Sequence, residues 1–356
     1  MDRNEKDIGA YFLPAPVNGG FSMEGYWVWC GSVIRGEDGN YHMFASRWKK
    51  TLPFHPGWGV ASEIVRAVSK TPEGPYQFQE VVLPARGAGY WDGRVTHNPV
   101  IQKCGDTYVL FYMGTTFPYP DVPEDGTLDH DSYQWLCARA HKRIGIATSK
   151  SVFGPWQRRD HPVLDVRPGC FDDFLTSNPA PCLNPDGSCL LVYKTRTYRK
   201  PPYDSCTGNE MFSAMKLGVA WADHYDKGFR PLGDEPIFSD EGVLEDPFIW
   251  KTDEGYAMIA KDWNGFYTGD VGSVAYASSR DGLHWQVEPR AAFSRSVLWT
   301  DGSRRVMGNL DRPFLLFDET GQATHLFAAT NDGSEAGFAT MTRSWNLCIP
   351  LSRSSK

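Results

Sequence analysis

An all-β chain built from repeats is what this sequence predicts, on three observations. Aromatic residues make up 14% of its 356 residues, with 13 Trp, 16 Tyr and 20 Phe. Turn formers are frequent, with 35 Gly and 25 Pro. A short strand–turn–strand unit recurs five times. Many aromatics among many turns describe short strands. No extended stretch carries the 3.6-residue amphipathic period of a long helix.

The unit opens on a strand, usually led by Asn-Pro or Asp-Pro, and continues through a turn into a second apolar strand. It reads Cys30-Gly31-Ser32-Val33-Ile34, His97-Asn98-Pro99-Val100-Ile101, Ser177-Asn178-Pro179-Ala180-Pro181, Glu245-Asp246-Pro247-Phe248-Ile249 and Asp311-Arg312-Pro313-Phe314-Leu315. With Ser32 taken as the counterpart of the four prolines, the marks are spaced by 67, 80, 68 and 66 residues. A third strand of small and branched residues follows in each unit: Ile64–Ser69, Ile144–Ser149, Leu217–Ala222, Val274–Ser279 and Gly337–Thr342. Turns such as Gly74-Pro75-Tyr76 and Gly154-Pro155-Trp156 then open a fourth. Four antiparallel strands repeated five times describe a five-bladed β-propeller, in which radial repetition protects the strand edges. The blades fall at about 26–80, 93–160, 173–235, 243–290 and 308–351 of one domain spanning 1–356. Ala10–Leu13 is the candidate strand to close the last blade. Two stacked β-sandwiches are the rival architecture, and near-equal repeats speak against it.

Composition narrows the function. The net charge is −7, which argues against nucleic-acid binding, because that rests on clustered cations. No apolar run is long enough for a transmembrane helix. The opening Met1–Asp7 is polar and lacks the apolar stretch of a secretory signal, which predicts a cytoplasmic protein if residue 1 is the native start. The eight cysteines form no CxxC or Cys/His cluster. Cys30, Cys104, Cys182 and Cys189 lie in or beside strand-like segments and read as reduced apolar fillers.

In a propeller the first strands line the central channel, so the positions before each mark face one another. They are Cys30/Gly31, His97/Asn98, Ser177/Asn178, Glu245/Asp246 and Asp311/Arg312. Incoming loops add Asp92, next to Trp91, and the similar Asp172-Asp173. Second strands end in Arg47, Lys194, and Lys261 with Asp262. Opposed carboxylates in an aromatic-walled pocket suit glycosidic bond cleavage: one donates a proton to the leaving oxygen, and the other activates water or attacks the sugar. Burial and like charge push two such pKa values apart. Trp29, Trp91 and neighbouring tryptophans offer faces for a sugar to stack on. Asp-Pro and Asn-Pro are also ordinary turn formers, so it is their coincidence at one repeat position that singles out the set. Glu63 reads as a partner for Arg66, and Arg139-Ala140-His141-Lys142-Arg143 as a solvated loop.

Through its five units, Glu245-Asp246-Pro247-Phe248-Ile249, Trp91-Asp92 and the Gly-Pro-aromatic turns, the chain resembles the five-bladed propeller glycosidases, the superfamily of glycoside hydrolase family 43 with families 32, 68 and 117. The resemblance implies an Asp base, a second Asp that tunes pKa and a Glu acid, set at or just before the Pro of successive blades. Blades 1 to 3 depart from that pattern. On the resemblance, Glu245 becomes the acid, Asp92 the base, with Glu24 a further carboxylate on an incoming loop, and Asp246 or Asp311 the tuning partner. Trp29, Arg47, Trp91, His97, Asn98, Asn178, Lys194, Lys261, Asp262 and Arg312 become sugar-binding residues. The superfamily accommodates a central ion, but no ligand set in the sequence calls for a metal or cofactor. The expected partner is a small oligosaccharide. Two other readings stand beside hydrolysis. One is a phosphorylase like those of family 130, with Arg47, Lys194, Lys261 and Arg312 holding phosphate, or holding a uronate carboxylate instead. The other is a non-catalytic sugar-binding propeller.

Overall fold

The computed structural model describes residues 6–118, 120–123, 127–198, 212–333 and 335–352. Five antiparallel sheets form the blades of a propeller. Blade 1 is β1 (Tyr26–Arg35), β2 (Tyr41–Lys49), β3 (Glu63–Ser69) and β4 (Gln77–Leu83); blade 2 is β5 (Val95–Cys104), β6 (Thr107–Thr115), β7 (Arg143–Ser149) and β8 (Gln157–Arg158). Blade 3 is β9 (Leu175–Leu183), β10 (Cys189–Arg196), β11 (Lys216–Ala222) and β12 (Arg230–Pro231); blade 4 is β13 (Leu244–Thr252), β14 (Gly255–Asp262), β15 (Val274–Ser279) and β16 (Gln286–Phe293). A hairpin, β17 (Ser296–Leu298) with β18 (Arg304–Val306), precedes blade 5, which holds β19 (Asp311–Phe317), β20 (Ala323–Asn331) and β21 (Ser344–Pro350). First strands of successive blades touch from β1 through β5, β9 and β13 to β19, and β19 returns to β1. Two short helices, α1 (Phe54–Ala61) and α2 (Tyr133–Ala140), interrupt blades 1 and 2 between their second and third strands. Among the described residues no helix is long and apolar enough to cross a membrane.

Every first strand carries the same defect. Cys30, Asn98, Asn178, Asp246 and Arg312 have φ of 56°, 55°, 47°, 56° and 53°, in the left-handed region. The ladder register slips at each of these points: between Trp29 and Ser32, His97 and Val100, Glu245 and Phe248, Asp311 and Phe314, and opposite Asn178 between Val192 and Lys194. Each is a β-bulge, which bends the strand and re-aims a side chain. Asn and Asp tolerate the conformation best among residues with a side chain. The bulges also correct the blade 1 alignment: Cys30 is the counterpart of Asn98, so Gly31 rather than Ser32 stands where the other blades have Pro. Pro is excluded there because the Gly31 N–H donates to Asn346 Oδ1 at 2.8 Å. A Cβ on Gly31 would lie 2.8 Å from Asn346 Cγ.

The third strands are rich in small residues because large side chains lie across them. A Cβ on Gly145 would stand 2.4 Å from the Trp91 ring, and one on Gly218 would stand 2.5 Å from the Tyr193 ring. In blade 5 the expected strand at Gly337–Thr342 is absent; that stretch is a bent loop, and the third strand is β21, a few residues later. The N-terminal segment supplies the outer edge beside β21, with bridges Phe12–Leu351 and Phe21–Asn346. The expected closing strand at Ala10–Leu13 does not form: Ile8–Tyr11 is a 3-10 helix, and of that stretch Phe12 alone bridges, to Leu351 just past β21. The seven cysteines among the described residues are unpaired.

Asn346 therefore holds both partners of the ring closure. Its side chain takes the Gly31 N–H of blade 1, and its backbone exchanges hydrogen bonds with Phe21 at 2.8 and 3.0 Å. Replacing it by Ala strands a buried N–H. Asn346→Ala is expected to lower unfolding free energy by about 1–3 kcal/mol, measured by denaturant titration; an unchanged midpoint would refute this role.

Candidate active site

At one end of the channel the five bulges surround a cavity of about 410 Å³. The left-handed residues form a belt across its floor. The Cys30 thiol donates to Asn98 Oδ1 at 2.8 Å, Asn98 Nδ2 donates to Asn178 Oδ1 at 2.8 Å, and Asn178 Nδ2 donates to Asp246 Oδ1. Arg312 Nη1 completes the series 3.7 Å from the same Asp246 oxygen. The order of donors follows from the carboxylate end, since Oδ1 of Asp246 accepts and each amide must then turn its oxygen toward the next donor. Cys30 is thus a member of a polar belt, not an apolar filler.

The residues one place earlier, Trp29, His97, Ser177, Glu245 and Asp311, make a second tier. Lys194 pairs with Glu245, and Lys261 lies 2.8 Å from Asp311 Oδ1. His97 contacts Ser62 Oγ at 2.8 Å and the Cys30 sulfur at 3.7 Å. Burial pushes the His97 pKa well down, helped by Lys142, Arg312 and Lys194, so its ring is neutral. The walls are aromatic: Trp48 and Trp263 with Trp29, Phe54 and Trp58 on α1, and Phe338 from the blade 5 loop.

Three carboxylates share this space and are held differently. Burial by itself would raise Glu245, but Lys194, Lys261 and Arg196 outweigh it and hold the carboxyl below its ordinary range. Asp246 is driven upward, first by burial and then by the charge of Glu245, with Arg312 opposing. Asp311 is also raised by burial, against the pull of Lys261. Adjacent residues in sequence are thus shifted in opposite directions, Glu245 toward its ionised form and Asp246 toward its protonated one.

The pocket brings together Glu245, Asp246, Asp311, Arg312, Trp29, His97, Asn98, Asn178 and Lys194, with Lys261 behind Asp311. Besides Asp92, four expected residues lie elsewhere. Arg47 pairs with Glu63 at 2.8 Å and stands over the Tyr26 and Phe78 rings; Arg66 takes Glu80 instead of Glu63. Asp262 faces its own loop, accepting from the backbone of Tyr267 and Thr268 at 2.9 and 2.8 Å. Trp91 stacks on Tyr112 and donates to the Arg159 carbonyl. Glu24 is exposed. The residues that sequence reasoning missed, His55, His130, Arg139, Arg196 and Met215, come from the helices, the segments flanking α2 and β11, and the end of β10.

Asp92, expected as the base, is a scaffold residue. It is fully buried outside the pocket, held by Arg86 at 2.7 Å, Tyr112 Oη at 2.8 Å and Arg158 at 3.4 Å. Blade 3 repeats the device, with Asp172 held by Arg167 at 2.9 Å and Tyr193 Oη at 2.6 Å. Breaking a buried pair leaves an uncompensated charge. Asp92→Asn is expected to cost about 3–5 kcal/mol of stability, while the fraction that remains folded keeps its full turnover. Thermal unfolding and active-fraction assays separate the two, and a stable but inactive variant would return Asp92 to the chemistry.

No protein-family model matches the chain, and no curated protein does. Solved structures match over nearly its whole length. A family 117 glycoside hydrolase of the marine bacterium Zobellia galactanivorans is 15% identical, covering 95% of this chain and 88% of its own, with a TM-score of 0.63. A thermostable family-43 glycoside hydrolase is 13% identical, covering 97% and 94%, with a TM-score of 0.59. An endo-arabinase of Bacteroides thetaiotaomicron is 12% identical, covering 96% and 98%, with a TM-score of 0.57. The five-bladed propeller is what this chain shares with these glycoside hydrolases.

Proposed function

We propose that the chain is a glycosidase that cleaves the terminal glycosidic bond of a small oligosaccharide, a pentoside, galactoside or uronide, in the central pocket. One observation carries this reading: Glu245 and Asp246 share a single aromatic-walled cavity with opposite proton affinities. Such a pair is what acetal cleavage needs. Asp246, protonated, gives its proton to the leaving oxygen. Asn178 occupies its Oδ1, which leaves Oδ2 to carry that proton. Glu245, kept ionised by Lys194, activates water or attacks the anomeric carbon. The roles first expected of Glu245 and Asp92 are therefore reassigned. Asp311 adds negative charge that raises the Asp246 pKa further. Trp29, Trp263 and Phe338 offer ring faces for the sugar. The likeness to solved glycoside hydrolases supports the same reading.

The test is a hydrolysis screen on aryl pentosides, hexosides and uronides, with and without phosphate. On any substrate that wild type cleaves, Asp246→Asn and Glu245→Gln are each expected to lower kcat by about 10²–10⁴-fold. Full activity in either variant overturns the assignment. Turnover that requires phosphate marks a phosphorylase, and sugar binding without cleavage marks a binding module.

The pH profile has a definite sign. Asp246 acts while protonated, so rate falls as pH rises through its raised pKa. Glu245 acts while ionised, so the acid limb lies lower, below the ordinary carboxylate range. Arg312 opposes the rise of Asp246; Arg312→Met is expected to move the alkaline limb of kcat to higher pH. A limb that stays still or moves down would exclude Asp246 as the group it reports.

A further inference from the structure

Of the four cations expected to hold an anion, three are engaged closely by a carboxylate, Arg47 by Glu63, Lys194 by Glu245 and Lys261 by Asp311, and Arg312 stands 3.7 Å from Asp246. Among the described residues a different set is not so engaged. Arg139 lies in the last turn of α2, and Lys142 lies two residues beyond its end, buried. Facing them is Arg196 on β10, two residues beyond Lys194 and so on the same face of that strand. The Arg139 guanidinium lies 4.1 Å from the Phe212 ring centre and that of Arg196 lies 4.6 Å from it. The Lys142 ammonium lies 3.9 Å from the Trp58 ring centre. Arg196 Nη1 donates to the Ser213 carbonyl at 2.7 Å. The Nε atoms of Arg139 and Arg196 are buried with no hydrogen-bond partner among the described residues, and both side chains line the pocket.

Among the described residues, three cations beside Lys194 are thus left with one nearby carboxylate, Glu245, which Lys194 occupies. Burial and mutual repulsion pull Arg139 down to about 9 and Lys142 well below the usual lysine range. Uncompensated charge of this kind is costly in a buried place and is relieved by a bound anion. Arginine offers planar paired donors to an oxyanion.

We infer that Arg139, Lys142 and Arg196 form a receptor for a small oxyanion beside the Glu245–Asp246 pair, taking the carboxylate of an acidic sugar or free inorganic phosphate. The sugar-borne form rests on the glycosidase reading and narrows its substrate class to uronides.

Calorimetry on the whole chain at low ionic strength tests it, with D-galacturonate, D-glucuronate, D-galactose and inorganic phosphate as probes. At least one anion is expected to bind about tenfold or more tighter than D-galactose, as one charge-assisted hydrogen bond would give. That affinity is expected to fall with added salt. Arg139→Gln and Arg196→Gln are each expected to lose about tenfold for the anion and little for D-galactose. Thermal shift of the wild type by the same probes needs no variant and guards against misfolding. Uronates that bind without competition from phosphate assign a sugar-borne carboxylate. Phosphate that binds and is required for turnover assigns the free anion. If none of the three anions is preferred over D-galactose in a protein that cleaves neutral glycosides, the receptor is refuted and the glycosidase stands. Anion binding with no cleavage of any aryl glycoside leaves the receptor and removes the glycosidase.

Discussion

Five left-handed residues at the same place in five strands are the constraint on which the rest of this molecule depends. Regular strands would alternate their side chains between blade faces. The bulge breaks that alternation once per blade and turns one side chain to the axis. Cys30, Asn98, Asn178, Asp246 and Arg312 then meet although they lie far apart in sequence, and hydrogen bonds link the first four. The residue before the bulge is presented to the cavity by the same distortion in four blades, as Trp29, His97, Glu245 and Asp311. A buried polar belt is worth keeping only when its members are paired; here each amide has its acceptor, and the series ends on the carboxylate that the chemistry uses.

A second regularity sets the charges. In blades 3 and 4 the second-strand residue paired with the pocket position is a lysine: Lys194 opposite Ser177 and Lys261 opposite Glu245. Each reaches forward to the next blade, Lys194 to Glu245 and Lys261 to Asp311. Blade 1 uses the same geometry without charge, where Ser46, opposite Trp29, accepts from the Asn98 N–H at 3.1 Å. The propeller repeat therefore supplies a cation for two of the floor carboxylates. Asp246 receives none from it and depends on Arg312, 3.7 Å away. This difference in supply, together with burial and the charge of Glu245 beside it, separates the protonation of Asp246 from that of Glu245.

What the sequence made legible follows from that repetition. Asn-Pro and Asp-Pro mark three of the bulges, because Asn and Asp accept the left-handed backbone and Pro needs no donor, and Arg312-Pro313 marks a fourth. Blade 1 hides its bulge behind Cys30-Gly31, since Gly31 must donate to Asn346, and the alignment slips by one residue. The rim was illegible for a different reason. An eight-residue helix such as α2 spans barely two turns, too few to show a period. Arg139 and Lys142 therefore read as part of a solvated run, although they turn inward. The longest interval between marks, the one into blade 3, was the signal, because it holds the insertion that carries α2.

Asp92 shows why composition at a repeat position identifies a pocket better than a single motif does. Its neighbour Trp91 and its place in an incoming loop resemble a sugar site. Its partners, Arg86, Tyr112 and Arg158, come from three separate segments. Asp172 has a matching cation and tyrosine. A carboxylate with two charged or hydroxyl partners and no exposed surface has spent its acceptor capacity, and no water or sugar reaches it. The floor carboxylates have one close cation each and a cavity on the other side. The same side-chain chemistry thus becomes scaffold or reagent according to whether the repeat leaves one side of it open.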